Sequence, residues 1–482
     1  MPKSNGKSRK RLGPMHRRGA TTAPTAAVVG QQSSKAPCPS LQAGEELDIF
    51  SATAEQIGHV RTYTTTHNNE VSQVSGQQQM IFVLKSQCDW QAFDRSMFEI
   101  ELQLTKADGT PMGDADMVSV VDNVGHSLLK EINFYVGNDR VYAQERHDYV
   151  HYIQQRLTLA ADALNTWPQL HAHYEDQHMH FNTFTDQGNS GFKSRRTLFK
   201  GGRTVKLYVR PNCFPFTQSR LMPAFVDKRF VITRNTDDFL LLGAADDNDI
   251  TKGAKLKVKR IALKMCNVEL KSSVQTPLLR GLKTGKGARY PFRMAKYQAY
   301  SIDAATLHYR LDQHSLCFPG MPHRILFALV TQRALHGDRQ ENPFRMSNHR
   351  VVNFQVTVNE HDYFADGGLA TDFAKGDYSQ LYLKLMQDLN YYQNEQTGPS
   401  LSYREFDNDQ TFWSVNIVNR FPEAINGLWP SDKLTVAFSF AQPTTEILEL
   451  VCYPVHDNEV QILQTDESTF TAVERAAARL QV

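Results

Sequence analysis

The sequence lacks the long apolar runs that would mark a membrane protein or a secreted one. No segment approaches the length of a membrane span or of the hydrophobic part of a signal peptide. No Asn-x-Ser/Thr acceptor for N-glycosylation occurs anywhere in the 482 residues. We therefore expect a chain that is cytosolic or nuclear when it is made.

Cysteine is scarce and dispersed. The six cysteines are Cys38, Cys88, Cys213, Cys266, Cys317 and Cys452. They include no Cys-x-x-Cys pair, which excludes a zinc ribbon and a thioredoxin-type motif because both need thiols a few residues apart. The spacing instead predicts free, buried thiols.

Motifs of catalysis are also missing. There is no Gly-x-Ser-x-Gly elbow, no His-Glu-x-x-His pair and no Gly-x-Gly-x-x-Gly fingerprint. Residues 281–287 resemble a phosphate-binding loop, but three residues rather than four separate the first two glycines, and glycine rather than Ser or Thr follows the lysine. We interpret this segment as a flexible basic loop and predict neither a catalytic residue nor a cofactor.

Acidic residues are absent from the first 44 positions, which hold eight basic residues among Ser, Gly, Pro, Ala and Thr. Since the whole chain has a formal net charge of +2, the remainder carries −6. Residues 1–44 have too few apolar groups to bury a core, so we predict a basic arm that is disordered until it binds. Its candidates for nucleic-acid binding or nuclear import are Lys7, Arg9, Lys10, Arg11, Arg17 and Arg18. A merely solubilising tail is the alternative.

Alternation of apolar and polar residues is the strongest positive signal. Every second residue is apolar over residues 98–104, and Asp108-Gly109 supplies a turn after them. This period of two predicts a half-buried β-strand. An aromatic share of 10% suits packed sheets of this kind.

Strand-like runs divide the chain into two β-rich halves. Those of the first half are residues 80–84, 97–104, 132–136, 205–209 and 230–232; those of the second are residues 256–261, 325–330, 352–358, 434–440 and 447–453. The polar segment 244–249 separates the two sets. Because the chain exceeds the size at which one core keeps growing, we predict β-domains at residues 45–246 and 247–462 and a tail at 463–482.

Two segments have helical periodicity instead. Between residues 141 and 167, apolar residues recur every four positions, with Asp139 as a candidate cap and Pro168 as the stop. These apolar residues are Tyr149, Ile153 and Leu157. The tail from residue 466 to 482 is predicted as a short helix with Thr471 and Glu474 at capping-box spacing. We expect one face of that helix to dock on a partner through Phe470, Val473, Ala477 and Leu480.

Several blocks, in a fixed order, resemble the double jelly-roll major capsid proteins of polinton transposons and adintovirus-type DNA viruses. They are the strand and turn at 97–110 and residues 193–198, 289–293, 342–345, 372–378 and 434–462. More remotely, the architecture is similar to adenovirus hexon and virophage capsid proteins. The likeness extends over about residues 45–462 and includes neither the basic arm nor the tail.

This resemblance implies an all-β fold of two eight-stranded antiparallel jelly rolls side by side, with helical insertions in loops. It implies a major capsid protein rather than an enzyme, which trimerises into pseudo-hexameric capsomers of an icosahedral shell around double-stranded DNA. The implied partners are further copies of the chain, penton and minor capsid proteins, and viral DNA through the arm, without a membrane span. The implied locations are the virion and, during assembly, the host nucleus.

Two other classes of function stay open. A nucleic-acid-binding protein that acts through the basic arm is the main alternative, although the rest of the chain is acidic and has no aromatic-basic stripe. A jelly-roll metalloenzyme of the cupin type would need histidines on facing strands, whereas the densest histidines here are nearly consecutive.

Of all segments in the sequence, that histidine run has the side chains that look best suited to a chemical role such as metal binding. Its members are His171, His173, His178 and His180. With Glu175 and Asp176 between them, they offer imidazole and carboxylate groups suited to zinc or copper. The spacing matches no standard site and the run follows Pro168, so we interpret it as a polar surface loop that holds no metal. Joint protonation near pH 6 would let it sense pH.

Overall fold

The computed structural model describes residues 58–74, 77–244, 250–285, 287–312, 322–393, 398–407, 409–417, 434–464 and 470–476. These residues belong to one compact unit. Antiparallel strands dominate it and build two jelly rolls in succession along the chain.

The first jelly roll uses the strands between residues 59 and 270. They are β1 (His59–Asn68), β2 (Glu70–Val74), β3 (Gln77–Leu84), β4 (Trp90–Thr105), β5 (Val118–Val120), β6 (Leu129–Val136), β7 (Asp139–Gln144), β8 (Thr204–Val209), β9 (Met222–Pro223), β10 (Lys228–Arg234), β11 (Leu241–Gly243) and β12 (Lys255–Leu270). One sheet has the order β1-β12-β4-β8, with β9 beside β4, and a second has the order β2-β3-β10-β6-β7. β5 and β11 form a small separate pair.

The second jelly roll follows from residue 288. Its strands are β13 (Ala288–Ala295), β14 (Gln298–Ile302), β15 (His308–Leu311), β16 (Arg324–Thr331), β17 (Val351–Val358), β18 (His361–Asp362), β19 (Leu369–Ala370), β20 (Trp413–Asn416), β21 (Leu434–Phe440), β22 (Leu448–Gln464) and β23 (Phe470–Ala476). The sheets are β13-β22-β16-β20, with β14 and β23 also on β22, and β15-β21-β17-β18, with β19 on β17.

The two halves share one strand order. If the eight principal strands of each half are numbered along the chain, the sheets read 1-8-3-6 and 2-7-4-5 in both cases. Two Greek keys in two sheets of four define a jelly roll. The predicted fold class, two eight-stranded antiparallel jelly rolls, is therefore confirmed.

Helices lie in the connections between strands. They are α1 (Val124–Ser127), α2 (His147–Thr158), α3 (Ala161–Leu164), α4 (Ser190–Phe199), α5 (Asp237–Leu240), α6 (Ile250–Gly253), α7 (Ser272–Lys283), α8 (Gln332–His336) and α9 (Ser379–Asp388). Short 3-10 helices occupy Trp167–His171, Lys200–Gly202, Ala365–Gly367 and Phe373–Lys375. α7 connects the first jelly roll to the second.

Aromatic side chains fill the space between the sheets of the first jelly roll. Phe98 on β4 has its ring centroid 5.1 Å from that of Phe82 on β3 and 6.2 Å from that of Phe230 on β10. Phe134 on β6 lies 4.6 Å from Phe230. All four rings are fully buried, as the alternation in residues 97–104 predicts for Phe98.

The second jelly roll has an equivalent aromatic core. Phe354 on β17 lies 5.9 Å from Phe327 on β16 and 5.0 Å from Phe438 on β21. Trp413 on β20 meets Phe438 edge to face at 5.3 Å. The strands that contribute these rings hold the same places in the order as β4, β6, β10 and β8 of the first half. The buried apolar residues of the two halves also contact one another and form one continuous core.

The boundary between the halves lies later than the sequence predicts. We expected a second domain from residue 247, with the alternating run 256–261 as its first strand. That run lies in β12, which pairs with β1 on one side and β4 on the other and so completes the first jelly roll. Alternation of apolar and polar residues predicts a half-buried strand, but it does not indicate which sheet the strand joins. For this reason the polar segment 244–249 was mistaken for the boundary.

The predicted helical insertion exists, with different ends. Asp139 begins β7, which pairs with β6, so it caps no helix. α2 ends at Thr158, ten residues before Pro168, and Pro168 itself occupies the first turn of a 3-10 helix, where its missing N–H is tolerated. The three apolar residues of the pattern, Tyr149, Ile153 and Leu157, are buried on α2 as predicted.

The predicted helix in the tail is wrong for residues 470–476. This segment is β23, which runs antiparallel to β22 from Phe470 opposite Gln464 to Ala476 opposite Asn458. A short helix with few large apolar residues is marginal on its own, whereas pairing with β22 satisfies backbone groups on one side of the strand. Residues 477–482 lie outside the described residues.

The thiol prediction holds for three of the four cysteines in the described ranges. Cys213, Cys266 and Cys452 are free and buried, and burial raises the pKa of each of the three thiols. Cys88 is also free but exposed, contrary to the prediction. Cys38 and Cys317 lie outside the described residues.

Candidate functional site

Helix α2 joins the two jelly rolls by aromatic packing. The ring of Tyr152 stacks on that of Phe344 with centroids 4.4 Å apart, and the hydroxyl of Tyr149 donates a hydrogen bond of 2.7 Å to the carbonyl oxygen of Pro343. Both tyrosines and Phe344 are buried. We call this region, formed by α2 and residues 342–345, the seam.

A buried ion pair lies beside the seam. Arg195 on α4 is fully buried and donates hydrogen bonds to Asp176 at 2.6 Å, to the carbonyl of Val120 at 2.9 Å and to the carbonyl of Tyr174. The second oxygen of Asp176 accepts a hydrogen bond of 2.7 Å from the side-chain amide of Asn342, in the second jelly roll. Asp176 therefore links the two halves through charged and polar contacts.

Asp122 is the second buried carboxylate of this region. Its oxygens lie 2.8 Å from Nδ1 of His173 and 2.8 Å from the backbone nitrogen of Tyr174. Burial raises the pKa of Asp122, but His173 and Arg195 outweigh burial and hold the pKa of this carboxyl well below its usual range. For Asp176 burial dominates and raises the pKa, although Arg195 opposes it.

Four buried histidines lie next to these carboxylates. We call them the histidine cluster; they are His126 on α1, His147 and His151 on α2, and His171 at the end of the 3-10 helix. The rings of His126 and His151 are parallel, with centroids 3.4 Å apart, and the His171 ring meets that of His126 edge to face at 4.6 Å. One ring nitrogen from each of His126, His151 and His171 lies within 4.8 Å of the other two.

Burial favours the neutral form of all four imidazoles in the histidine cluster. Burial lowers the pKa of His147 and of His171 to about 3, and burial together with the neighbouring imidazoles lowers the pKa of His126 and His151 far below the usual value. Gly125 allows the close approach, because a Cβ atom there would lie 2.9 Å from Cβ of His171 and 2.7 Å from a methyl group of Val209.

The prediction of a polar surface loop at residues 171–180 is wrong for its first half. His171, His173 and Asp176 are at most 5% exposed, since α2 and α4 cover them; His178 and His180 are partly exposed. His126, His147 and His151 were not predicted as site residues. The spacing of His147 and His151, one helical turn apart on the predicted helix, was the signal that could have found them.

The other predicted site residues lie outside the described residues or on β23. All six basic arm residues lie outside the described residues, as do Ala477 and Leu480. Phe470 and Val473 lie on β23. Since this segment is a strand, the helical face that we expected is not formed over residues 470–476.

An exposed strand forms one edge of the first jelly roll. None of the ten residues of β1 is buried, and Val60 is 54% exposed. β1 pairs with β12 on one side, and in the described part of the chain no strand pairs with its other side. Unpaired N–H and C=O groups along such an edge can pair with another chain.

Exposed apolar side chains occur close to the histidine cluster. Trp167 and Leu170 are 52% and 54% exposed and lie one turn apart on the same 3-10 helix, so they are neighbours on its surface. We call them the tryptophan pair.

In the described ranges, no helix is both long enough and apolar enough to cross a membrane.

Comparison with known proteins identifies the fold. No protein-family model matches the sequence, and no curated protein matches it. Among solved structures, the chain is similar to one from the Sputnik virophage determined by electron cryo-microscopy, with a TM-score of 0.60 and 11% identity over 94% of this chain and 95% of that one. It is also similar to the mavirus major capsid protein, with a TM-score of 0.51 and 10% identity over 94% and 97% of the two chains.

The two matches extend over nearly the whole length of this chain and of each solved structure. The fold is that of the double jelly-roll capsid proteins, as the sequence blocks indicated. The block at 342–345 lies at the seam, and the block at 193–198 contains the buried Arg195. Two of the sequence blocks that carry the resemblance thus contain residues that make internal contacts in this fold.

Proposed function

We propose that the chain is a major capsid protein, without catalytic activity, that assembles into the icosahedral shell of a double-stranded DNA virus or virus-like element. The observation that carries this proposal is the pair of fused jelly rolls with one strand order, matched over 94% of the chain to a virophage structure and to a viral major capsid protein. The capsid role places the protein in the virion.

The capsomer that we propose is a homotrimer. Two jelly rolls with the same strand order give each chain a pseudo-twofold repeat, so three chains related by a threefold axis present six similar units at the circumference. Closed cyclic symmetry lets each subunit bury its flank without leaving a growing edge. Electron microscopy of the purified protein tests the proposal: particles with a hexagonal outline, or closed shells, are expected, and small particles without threefold symmetry would contradict it.

The exposed surfaces of the chain are the candidates for subunit contact. The unpaired edge of β1 and the tryptophan pair offer backbone hydrogen-bonding groups and apolar area, and both would be buried by a second copy. We propose that the tryptophan pair lies in the contact between subunits of one trimer. Buried tryptophans are frequent energetic centres of interfaces, with effects of about 2 kcal/mol or more on truncation.

The test replaces both members of the tryptophan pair, Trp167→Ser with Leu170→Ser. The concentration at which the trimer dissociates should rise at least about 100-fold, because each of three contacts loses about 2 kcal/mol and the midpoint concentration varies as the square root of the trimer dissociation constant. Leu278→Ser on α7 is the matched control, because Leu278 is also well exposed, at 44%. An unchanged trimer in the double variant would exclude the pair from the trimer contact.

The basic arm is proposed to bind viral DNA or to carry the chain into the host nucleus. Its support is the charge of +8 over residues 1–44 against −6 for the rest. Deleting residues 1–44 should leave thermal stability nearly unchanged and should weaken DNA binding or nuclear accumulation. If the arm binds DNA, log affinity against log salt should have a slope no steeper than about −7. A DNA-binding protein with no tendency to trimerise would favour the alternative function.

The tail is proposed to contact a neighbouring trimer, a penton or a minor capsid protein. The proposal now rests on β23 as a strand on β22 rather than on a helical face. Phe470→Asp should impair shell assembly and leave trimers intact. Normal shells from this variant would remove the docking role.

A further inference from the structure

The histidine cluster has no part in the proposed capsid function, and it is the most unusual group of buried side chains near the seam. We propose that His126, His151 and His171 together bind one zinc ion, which holds α1, α2 and the 3-10 helix together. We predicted no metal from the sequence because the spacing of the histidines between residues 171 and 180 matches no standard site. One of those, His171, joins two histidines that are distant in sequence.

The positions of the nitrogen atoms suit a metal ion. Zinc binds imidazole nitrogen at about 2.0–2.1 Å in tetrahedral geometry, which sets ligand nitrogens about 3.4 Å apart. The three nitrogens of the cluster lie within 4.8 Å of one another. Binding also requires the parallel rings of His126 and His151, whose centroids are 3.4 Å apart, to turn out of their stack, because an imidazole binds a metal ion in the plane of its ring. The ring centroid of His147 lies 5.7 Å from that of His126, so a fourth imidazole is close to these three.

Unpaired ring nitrogens are the second, independent observation. Both nitrogens of His171, and Nδ1 of His147 and of His151, are buried without a hydrogen-bond partner. Buried polar atoms are nearly always paired, because an unpaired one loses its hydration without compensation. A metal ion among these rings would supply the missing partner for several of them at once.

The surroundings of His151 match those of a metal-binding histidine. Its Nε2 lies 2.8 Å from the side-chain oxygen of Gln155, one helical turn further along α2. A histidine ligand commonly donates its second ring N–H to such an oxygen, which fixes the ring and its tautomer. This contact leaves Nδ1 of His151, one of the unpaired atoms, free for the metal.

The ligand set indicates zinc. The three side chains are imidazoles, with no thiolate or carboxylate among them, and a neutral imidazole is the form that binds a metal. Imidazole donors in a small closed site suit zinc better than calcium or magnesium, which prefer oxygen. Since every ligand is buried, the ion would be structural.

The test uses the full chain, purified without a histidine tag or a metal resin. The protein is stripped with EDTA, dialysed against zinc chloride, freed of excess zinc and analysed for its elements. We expect one zinc per chain. His171→Ala should reduce this to less than one tenth, and His180→Ala, in the same histidine run but outside the triad, should leave it unchanged. A folded state is verified for each variant by its melting curve.

If His171→Ala fails to fold, Gln155→Ala provides the second test. Loss of the positioning contact to His151 should weaken zinc affinity by about 10- to 100-fold in a competition titration, while the melting curve in EDTA stays close to that of the wild type. Wild-type protein that takes up no zinc, or His171→Ala protein that retains one zinc per chain, would overturn the proposal. The solution mass of the same samples reports on trimerisation separately.

Discussion

Removal of Arg195 is the perturbation for which the structure makes the sharpest prediction. Arg195→Met keeps most of the side-chain volume but deletes a charge that is fully buried and that donates to Asp176 at 2.6 Å and to the carbonyl of Val120 at 2.9 Å. Asp176 would then remain buried without its ionic partner. Breaking a buried pair in this way costs about 3–5 kcal/mol.

The pKa of Asp176 gives an independent magnitude. Burial already raises the pKa of Asp176 above its usual value, and Arg195 opposes that rise. Without Arg195 the carboxyl should take up a proton in the folded state. At pH 7 this costs up to about 4 kcal/mol, from three pH units above a reference pKa of about 3.9 at 1.36 kcal/mol per unit. Because the unfolded chain is protonated more readily at lower pH, the cost should fall to about 1.5 kcal/mol at pH 5.

The assay is urea unfolding at pH 7 and pH 5, with the free energy of unfolding as the result. Lys193→Met is the matched control, since it removes one positive charge from the same helix α4 at an exposed position and should change stability by less than about 0.5 kcal/mol. Adding Asp176→Asn to Arg195→Met should recover part of the loss at pH 7. An Arg195→Met protein as stable as the control at pH 7 would refute the reasoning.

Three further predictions concern the core, the histidine cluster and acid stability. Phe98→Ala should cost about 3–5 kcal/mol of unfolding free energy, measured in urea, because the ring is fully buried between the sheets. Gly125→Ala should lower the melting temperature by several degrees, as the new Cβ would lie under 3 Å from Val209 and His171; an unchanged value would contradict the close approach. Burial lowers the pKa of His349 to about 4. The stability contribution of the neutral His349 ring is therefore complete above pH 6.5 and is lost as pH falls towards 4. Between these two pH values, His349→Asn should reduce the slope of unfolding free energy against pH by up to about 1.4 kcal/mol per unit.

Local features of the fold could be predicted from the sequence because they depend on local periodicity. The alternation at residues 97–104 places Phe98 in the core, and the four-residue period of Tyr149 identifies α2. Side-chain direction on a strand or helix repeats within a few residues, so no knowledge of distant partners is needed.

What the sequence could not provide depends on long-range contacts. Nothing in residues 255–270 indicates that β12 pairs with β1, almost 200 positions earlier. Arg195 belongs to a stretch that looks like an exposed basic surface, yet Asp176, which also accepts a hydrogen bond from Asn342, approaches Arg195 only in the folded chain. The histidine cluster likewise unites three separate segments, and a reading of one run at a time could not assemble it.

The capsid assignment depends most directly on the oligomeric state. Light scattering or native mass spectrometry on the intact chain, at micromolar concentration and near neutral pH, measures it without any assumption about the interface. Interfaces of obligate oligomers bury about 2,000 Å² or more, so dissociated subunits should be scarce. We predict a main species of three times the chain mass of 54.8 kDa; a folded, intact protein that is mainly monomeric or dimeric would contradict the assignment.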